Sequence, residues 1–207
     1  MTDMSERHEP ERRQREVLER LFAQTELSTF ELFRNFPVVT PRYNIARFLA
    51  HYEIFKKIVD VPGVIVDLGV FQGASVFTWA KLCEIFCPTD IRKSVIGFDT
   101  FTGFPKIGAE DGPEDPTQDV VPGGYFGGAS IEADLVLAQE AMNHDRYLRH
   151  KNRIEFVKGD VCETIPRFVA ERGEGLRLAL LNLDLDLYEP TRVALEHFVP
   201  RDRKSVV

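Results

Sequence analysis

The stretch VIVDLGVFQG, Val64 to Gly73, decides the fold. Three β-branched residues lead into Asp67 and then two glycines four apart, Gly69 and Gly73, before an apolar helix-like run opens at Ala74. This is the pattern of a buried strand feeding a tight turn and a helix N-terminus. The unpaired backbone N–H groups of such a helix start, and the close backbone approach that glycine permits, favour a nucleotide-like ligand.

Working outward, a helix is expected from about Ser75 to Phe86, closed by Pro88. SVIGFD, Ser94 to Asp99, then reads as a second buried strand ending in a carboxylate. A helix from about Ile131 to Leu148 leads to a third strand, Arg153 to Val157, followed by Gly159 and Asp160. A short helix is predicted over Pro166 to Glu171, with Thr164 as its cap and Gly173 as its stop. The fourth strand, Leu176 to Leu183, ends in Asp184, Leu185 and Asp186, and Pro190 opens a helix through His197. Alternating strands and helices with carboxylates at the strand ends predict an α/β, Rossmann-like, open and mostly parallel sheet with helices on both faces. Ser205 to Val207 are expected to begin a fifth strand, so the sheet is expected to be incomplete after the fourth or fifth strand.

Upstream, Val17, Leu18, Leu21 and Phe22 recur at helical spacing after a frayed start. Thr40 as N-cap and Pro41 at the first position open a second helix with Ile45, Phe48, Leu49, Tyr52, Phe55 and Ile58 on one face. Residues 1–62 are therefore expected to form a helical extension and residues 63–207 the Rossmann-like part. A net charge of -7 argues against nucleic acid or an anionic membrane as partner, because both need a basic face. No apolar run approaches the roughly 18 residues of a membrane span, and the charged start is unlike a signal peptide. A cytoplasmic protein with small-molecule or protein partners is expected. Cys83, Cys87 and Cys162 read as small buried hydrophobes; Cys83 and Cys87, one helical turn apart, have no second Cys/His pair to complete a zinc site. A lid over about residues 105–130 is rich in Gly, Pro and acids, and no Lys or Arg occurs between Lys106 and Arg146. A solvated, flexible acidic loop is the favoured reading of that gap over a cation site.

Four acidic positions mark the carboxyl edge of the expected sheet: Asp67, Asp99, Asp160 and Asp184 or Asp186. Asp99 stands where a carboxylate accepts both hydroxyls of a ribose, the alternative being a turn or N-cap aspartate. The turn GVFQG lacks the third glycine of G-x-G-x-x-G. That disfavours a pyrophosphate dinucleotide, and with it a nicotinamide dehydrogenase, against a ligand with one nucleoside and no phosphates.

DLGVFQGAS, GFDTFTGFP, VKGDVCETIP and LLNLDLDLYEPTRVALEHF, in this order, resemble the class I S-adenosylmethionine-dependent methyltransferases. Within them the chain from about Pro41 onward is most similar to the macrocin O-methyltransferase family, which acts on sugar hydroxyls of macrolide and aminocoumarin antibiotics. The resemblance implies that Asp67, Gly69 and Gly73 shape the pocket for the methionine part of S-adenosylmethionine. Asp99 would hold the ribose hydroxyls, with Thr100 and Phe101 beside the adenosine; core packing is the alternative for Phe101 and Phe104. Gly159, Asp160 and Val161 would border the adenine, and Asp160 would accept from its exocyclic amine. Asp184 and Asp186 occupy the position that in the family helps bind Mg2+ and takes the proton from the substrate hydroxyl. A hard cation would acidify that hydroxyl as a carboxylate removes the proton. Strand alternation is expected to put both side chains on one face, so both stay candidates, and one of them is alternatively a helix N-cap. His144 and His150 are rival bases, with surface placement expected for each.

Relatives continue through a fifth strand into an acidic pair that completes the metal site, so a shortened relative with an exposed apolar edge on the fourth strand is expected. The leading expectation is an O-methyltransferase acting on a small hydroxylated, glycosylated metabolite and assembling as a homo-oligomer. The competing one is a catalytically inactive relative that serves as an oligomerising or binding partner.

Overall fold

The computed structural model describes residues 4–116 and 119–201. It divides into two compact units, Met1–Leu49 and Ala50–Val207. The first unit holds α1 (Met4–Gln24), α2 (Thr29–Arg34), α3 (Phe36–Val39) and the start of α4 (Arg42–Ile58). α2 is opened by a capping box: the Ser28 hydroxyl accepts from the Glu31 N–H, and the Glu31 carboxylate accepts from the Ser28 N–H. That S-x-x-E signature lies in plain view, yet periodicity alone did not predict α2 or α3. Their presence shifts the expected Thr40 cap, because Thr40 closes α3 and α4 starts at Arg42.

The second unit is a four-stranded parallel sheet of β1 (Val64–Leu68), β2 (Val95–Asp99), β3 (Ile154–Lys158) and β4 (Leu178–Leu183), in the order β3-β2-β1-β4. The connecting helices are α5 (Ala74–Phe86), α6 (Ile131–His144), α7 (Val161–Arg172) and α8 (Tyr188–Phe198). The Rossmann-like arrangement expected from the strand–helix alternation is the one observed. Chain order reverses direction across the sheet between β1 and β4, which makes the crevice beyond their carboxyl ends the switch point where ligands bind such sheets.

Period-two alternation sorts the strands onto two cores. Ile65 and Val95 pack with Phe55, Ile58, Val76, Trp79 and Leu135 on one face. Val66, Leu68, Ile96 and Phe98 pack with Ile165, Phe168, Ala194 and Phe198 on the other. Asp67 falls on the α5 face by the same alternation, and this fixes its role. At the opposite edge, the buried Lys93 ammonium donates to the Ile58 and Val61 carbonyls. Arg153 and Arg146, both buried, share the Glu84 carboxylate. These charges are paired or hydrogen-bonded, as burial requires.

Several boundaries differ from expectation. α7 starts at Val161 rather than Pro166, because the Asp160 side chain caps the Cys162 N–H at 2.9 Å and Pro166 lies inside the helix. Gly173 ends it as expected. α6 stops at His144 and α8 starts at Tyr188. The expected fifth strand at Ser205 to Val207 lies outside the described residues. None of the described helices is long and apolar enough to cross a membrane.

Candidate functional site

Asp67 is fully buried at the end of β1, and three donors converge on its carboxylate. Ser75 Oγ donates to Oδ2 at 2.6 Å, while Asn182 Nδ2 at 2.6 Å and Trp79 Nε1 at 3.3 Å donate to Oδ1. One side chain thereby ties β1 to α5 and β4. Burial pushes its pKa up to about 6, against the pull of the three hydrogen bonds. Asp67 shapes the turn after β1 from underneath, through Ser75 and Asn182.

The turn itself depends on its glycines. Gly69 has φ +89°, and a Cβ there would overlap the carbonyl oxygen of Asp184. The Asp184 N–H donates to the Leu68 carbonyl at 2.9 Å, so β1 and β4 approach to backbone distance at the switch point. Gly73, φ +87°, is the N-cap of α5, and a Cβ there would meet Leu135 Cδ2 at 2.5 Å.

Asp99, at the end of β2, clamps two loops. Oδ2 accepts from the Phe71 N–H at 2.8 Å and Oδ1 from the Phe101 N–H at 2.7 Å. Phe71 and Phe101 both sit in the left-handed region, with φ of 50° and 57°. That conformation costs a side-chain-bearing residue on the order of 1–2 kcal/mol. A charge-assisted hydrogen bond is worth about 1.5–3 kcal/mol, enough to hold each in place. Each Asp99 oxygen accepts one backbone N–H, leaving a second acceptor direction for a hydroxyl. Thr100 Oγ1 donates to the Gly103 carbonyl at 2.7 Å and accepts from the Thr102 N–H, closing the turn beside it. Phe101 is buried edge-on against Phe156, so its ring belongs to the core.

Gly159 donates to the Asp99 carbonyl at 2.9 Å and has φ +131°, which brings the turn after β3 alongside that after β2. Asp160 Oδ1 is engaged as the α7 cap, and Val161 is buried. Asp184 and Asp186 follow β4 and are exposed. Strand alternation does not extend to them: β4 ends at Leu183 and Asp186 is left-handed at φ 57°, so a turn rather than the pleat sets their relation. Burial and the neighbouring Asp184 charge raise the Asp186 pKa above the usual carboxylate range. Among the described residues no group of three or more His, Cys, Asp or Glu side chains gathers as a metal site. His144 and His150 are exposed, as expected.

Within the lid, Glu110, Glu114 and Asp119 are exposed, and two of its carboxylates, Asp111 and Asp119, accept from backbone N–H groups. Phe104 and the 123–124 backbone exchange two hydrogen bonds, the Phe104 and Tyr125 rings lie 5.4 Å apart, and Asp119 accepts from the Tyr125 N–H. Asp111 reaches across 77 positions: Oδ1 accepts from the Tyr188 N–H at 2.6 Å and Oδ2 from the Gly108 N–H. α8 has no side-chain cap from its own N-cap residue, and Asp111 supplies one. Asn182, Ser75, Trp79 and Asp111 were not singled out by sequence reasoning. A lone asparagine in the apolar strand LALLNL was the one available signal, since a buried amide needs a partner.

A model of the macrocin-O-methyltransferase (TylF) family matches residues 47–204. Mycinamicin III 3''-O-methyltransferase of Micromonospora griseorubida is 29% identical over 142 residues, 68% of this chain and 51% of the relative. The 8-demethyl-8-(2,3-dimethoxy-alpha-L-rhamnosyl)-tetracenomycin-C 4'-O-methyltransferase of Streptomyces olivaceus is 33% identical over 142 residues, 68% of this chain and 49% of the relative. The chain thus spans about half the length of the curated relatives it matches. The crystal structure of the calicheamicin methyltransferase CalS11 superposes with a TM-score of 0.87 at 32% identity, covering 95% of this chain and 75% of that one. The apo structure of CalS11, described as a TDP-rhamnose 3'-O-methyltransferase, gives 0.76 with the same identity and coverage.

Proposed function

The chain belongs to the macrocin O-methyltransferase family, and from that premise we propose that it transfers a methyl group from S-adenosylmethionine to a sugar hydroxyl of a small glycosylated metabolite in antibiotic biosynthesis. The observation that carries this reading is the Asp99 clamp: one carboxylate at the switch-point edge fixes two left-handed turns and keeps acceptor directions for ribose hydroxyls. Two of the relatives, those named for rhamnosyl-tetracenomycin and TDP-rhamnose, carry names that specify rhamnose. A rhamnose-type deoxysugar, on an aglycone or a nucleoside diphosphate, is the acceptor class these support.

The bound cofactor supplies an electrophilic methyl on a sulfonium. The chain's residues bind, orient and move a proton. The Gly69–Gly73 turn, held by Asp67, lines the methionine side; Asp99 receives the ribose hydroxyls beside Thr100 and the backbone of Phe101, whose ring packs in the core; and Gly159, Asp160 and Val161 border the adenine. Asp186, or Asp184 beside it, accepts the proton of the attacking hydroxyl. The upward shift of Asp186 suits it to that role, since a base works best with a pKa closer to the working pH. The same two carboxylates are the oxygen donors that would hold a Mg2+-type cation, which would acidify the hydroxyl as a Lewis acid. Their mutual repulsion is of the kind such a cation relieves.

The test follows a labelled methyl from S-adenosylmethionine to TDP-rhamnose and to a rhamnosylated polyketide, with and without Mg2+. Label on a sugar oxygen, reduced about 100-fold or more by Asp184→Asn with Asp186→Asn, is expected from the usual contribution of a general base. Absence of transfer to every deoxysugar acceptor would contradict the proposal.

A further inference from the structure

Two thiols stand together at the far end of α5, away from the carboxyl edge. Cys83 and Cys87 are one helical turn apart, and the Cys87 N–H donates to the Cys83 carbonyl at 2.9 Å. Cys83 is buried in the core with Trp79 and Phe55, whereas Cys87 is half-buried where the helix ends. The two side chains hydrogen-bond each other. The methyl-transfer reading uses neither.

Their surroundings are cationic although the chain is acidic. Lys93, Arg146 and Arg153 are all buried beside this end of α5, and Glu84 is the carboxylate that both arginines share, which leaves an excess of two positive charges. The Lys93 ammonium is held by the Ile58 and Val61 carbonyls. Arg153 donates to the Pro88, Asp90 and Lys93 carbonyls and so wraps the loop that begins at Cys87. Asp90, in that loop, is paired with Arg92. Buried cations in excess favour a nearby anion, and a Cys87 thiolate is one. Its pKa is pulled down to about 7, first by the hydrogen bond from Cys83 and then by Lys93 and Arg153, against burial and Asp90. Cys83 is pushed upward by the same hydrogen bond and by burial. Cys162 offers the contrast. It too is partly exposed, and it lies in the first turn of α7, where a helix dipole favours a thiolate, yet burial and the Asp160 charge push its pKa up to about 11.

We propose that Cys87 and Cys83 are a peroxide-sensitive thiol pair, in which Cys87 attacks the oxidant and Cys83 resolves the product as a disulfide. The Cys87 thiolate attacks one oxygen of hydrogen peroxide: an S–O bond forms, the O–O bond breaks and hydroxide leaves to become water, so the sulfur is oxidised to a sulfenic acid as the peroxide is reduced. The Cys83 sulfur then attacks the Cys87 sulfur. An S–S bond forms, the S–O bond breaks, and the Cys83 proton leaves with the hydroxide as a second water. Cβ atoms one turn apart start about 5–6 Å from each other, and a disulfide needs about 3.5–4.5 Å. Cys87 has already left helical geometry, at φ -143° and ψ 56°, so the shift falls on one residue at the helix end.

The test treats the reduced 207-residue chain with a small excess of hydrogen peroxide and reads intact mass and peptide maps. The expected product is lighter by two hydrogens, carries a Cys83–Cys87 link, leaves Cys162 free for alkylation and returns to the starting mass with dithiothreitol. Cys83→Ala, which keeps a small apolar side chain in the core, should stop at a dimedone-reactive sulfenic acid on Cys87. Cys87→Ser should lower the rate of peroxide consumption about 10-fold or more. A wild type in which Cys162 oxidises first, in which Cys87 remains a sulfenic acid, or in which no thiol reacts would overturn the proposal. The product is read by mass alone, so this claim and the methyltransferase reading can each fail without the other.

Discussion

Asp67→Asn probes the junction on which the site rests. In the folded protein Asp67 titrates at about 6, against 3.8 for an unperturbed aspartate. Below pH 3.8 both folded and unfolded chains hold the proton. Between 3.8 and 6 only the folded chain does, so stability declines as pH rises through that window and is level above it. At 1.36 kcal/mol per unit the site's full contribution is about 3 kcal/mol, most of it between pH 4 and pH 7. Other carboxylates titrate there too, so the quantity to measure is the wild type minus the variant, by urea unfolding at each pH. Trp79 is the chain's single tryptophan and donates to Asp67 itself, so its emission also reports the site directly. The expected results are a wild-type-minus-variant difference that falls by about 2–3 kcal/mol between pH 4 and 7, and a Trp79 fluorescence titration centred near 6 and absent from the variant. A flat difference, or a midpoint near 4, would refute a desolvated Asp67 held by Ser75, Trp79 and Asn182.

Other perturbations act on the loops above that junction. Asp99→Asn keeps one acceptor for Phe71 or Phe101 but turns a donor toward the other. Loss of a charge-assisted bond worth about 1.5–3 kcal/mol should weaken S-adenosylhomocysteine binding roughly 10- to 150-fold, read by competition with a fluorescent analogue. Gly73→Ala places a methyl against Leu135 at a left-handed position, and a loss of about 1–3 kcal/mol should appear as a lower urea midpoint. Asp111→Ala removes the cap of α8, worth about 1 kcal/mol, and should speed proteolysis between Phe104 and Gly128 about fivefold while leaving the global urea midpoint within about 1 kcal/mol of wild type.

Much of the architecture was legible because it is written in local pattern. β-branched runs ending in aspartate marked β1 and β2, and two glycines where φ turns positive marked the turn that starts α5. What escaped was set at long range or by competing local signals. Asn182 reaches Asp67 from 115 positions away, and Asp111 reaches Tyr188 from 77, so no window could pair them. Pro166 drew the start of α7 toward itself, although Asp160 had already captured the Cys162 N–H. Strand alternation does not extend to Asp186, because the strand ends three residues earlier and its backbone turns left-handed. The partners of Asp111 and Asp119 are backbone N–H groups, which composition does not reveal.

The carboxyl edge bounded by Gly69, Gly73 and Asp99 is the proposed seat of S-adenosylmethionine. Isothermal titration calorimetry of S-adenosylhomocysteine into the wild-type chain tests it most directly. The expected result is one saturable site per chain, weakened at least 10-fold by Asp99→Asn, whose loss of a charge-assisted bond sets that lower limit. No heat of binding, or binding that Asp99→Asn leaves unchanged, would contradict it.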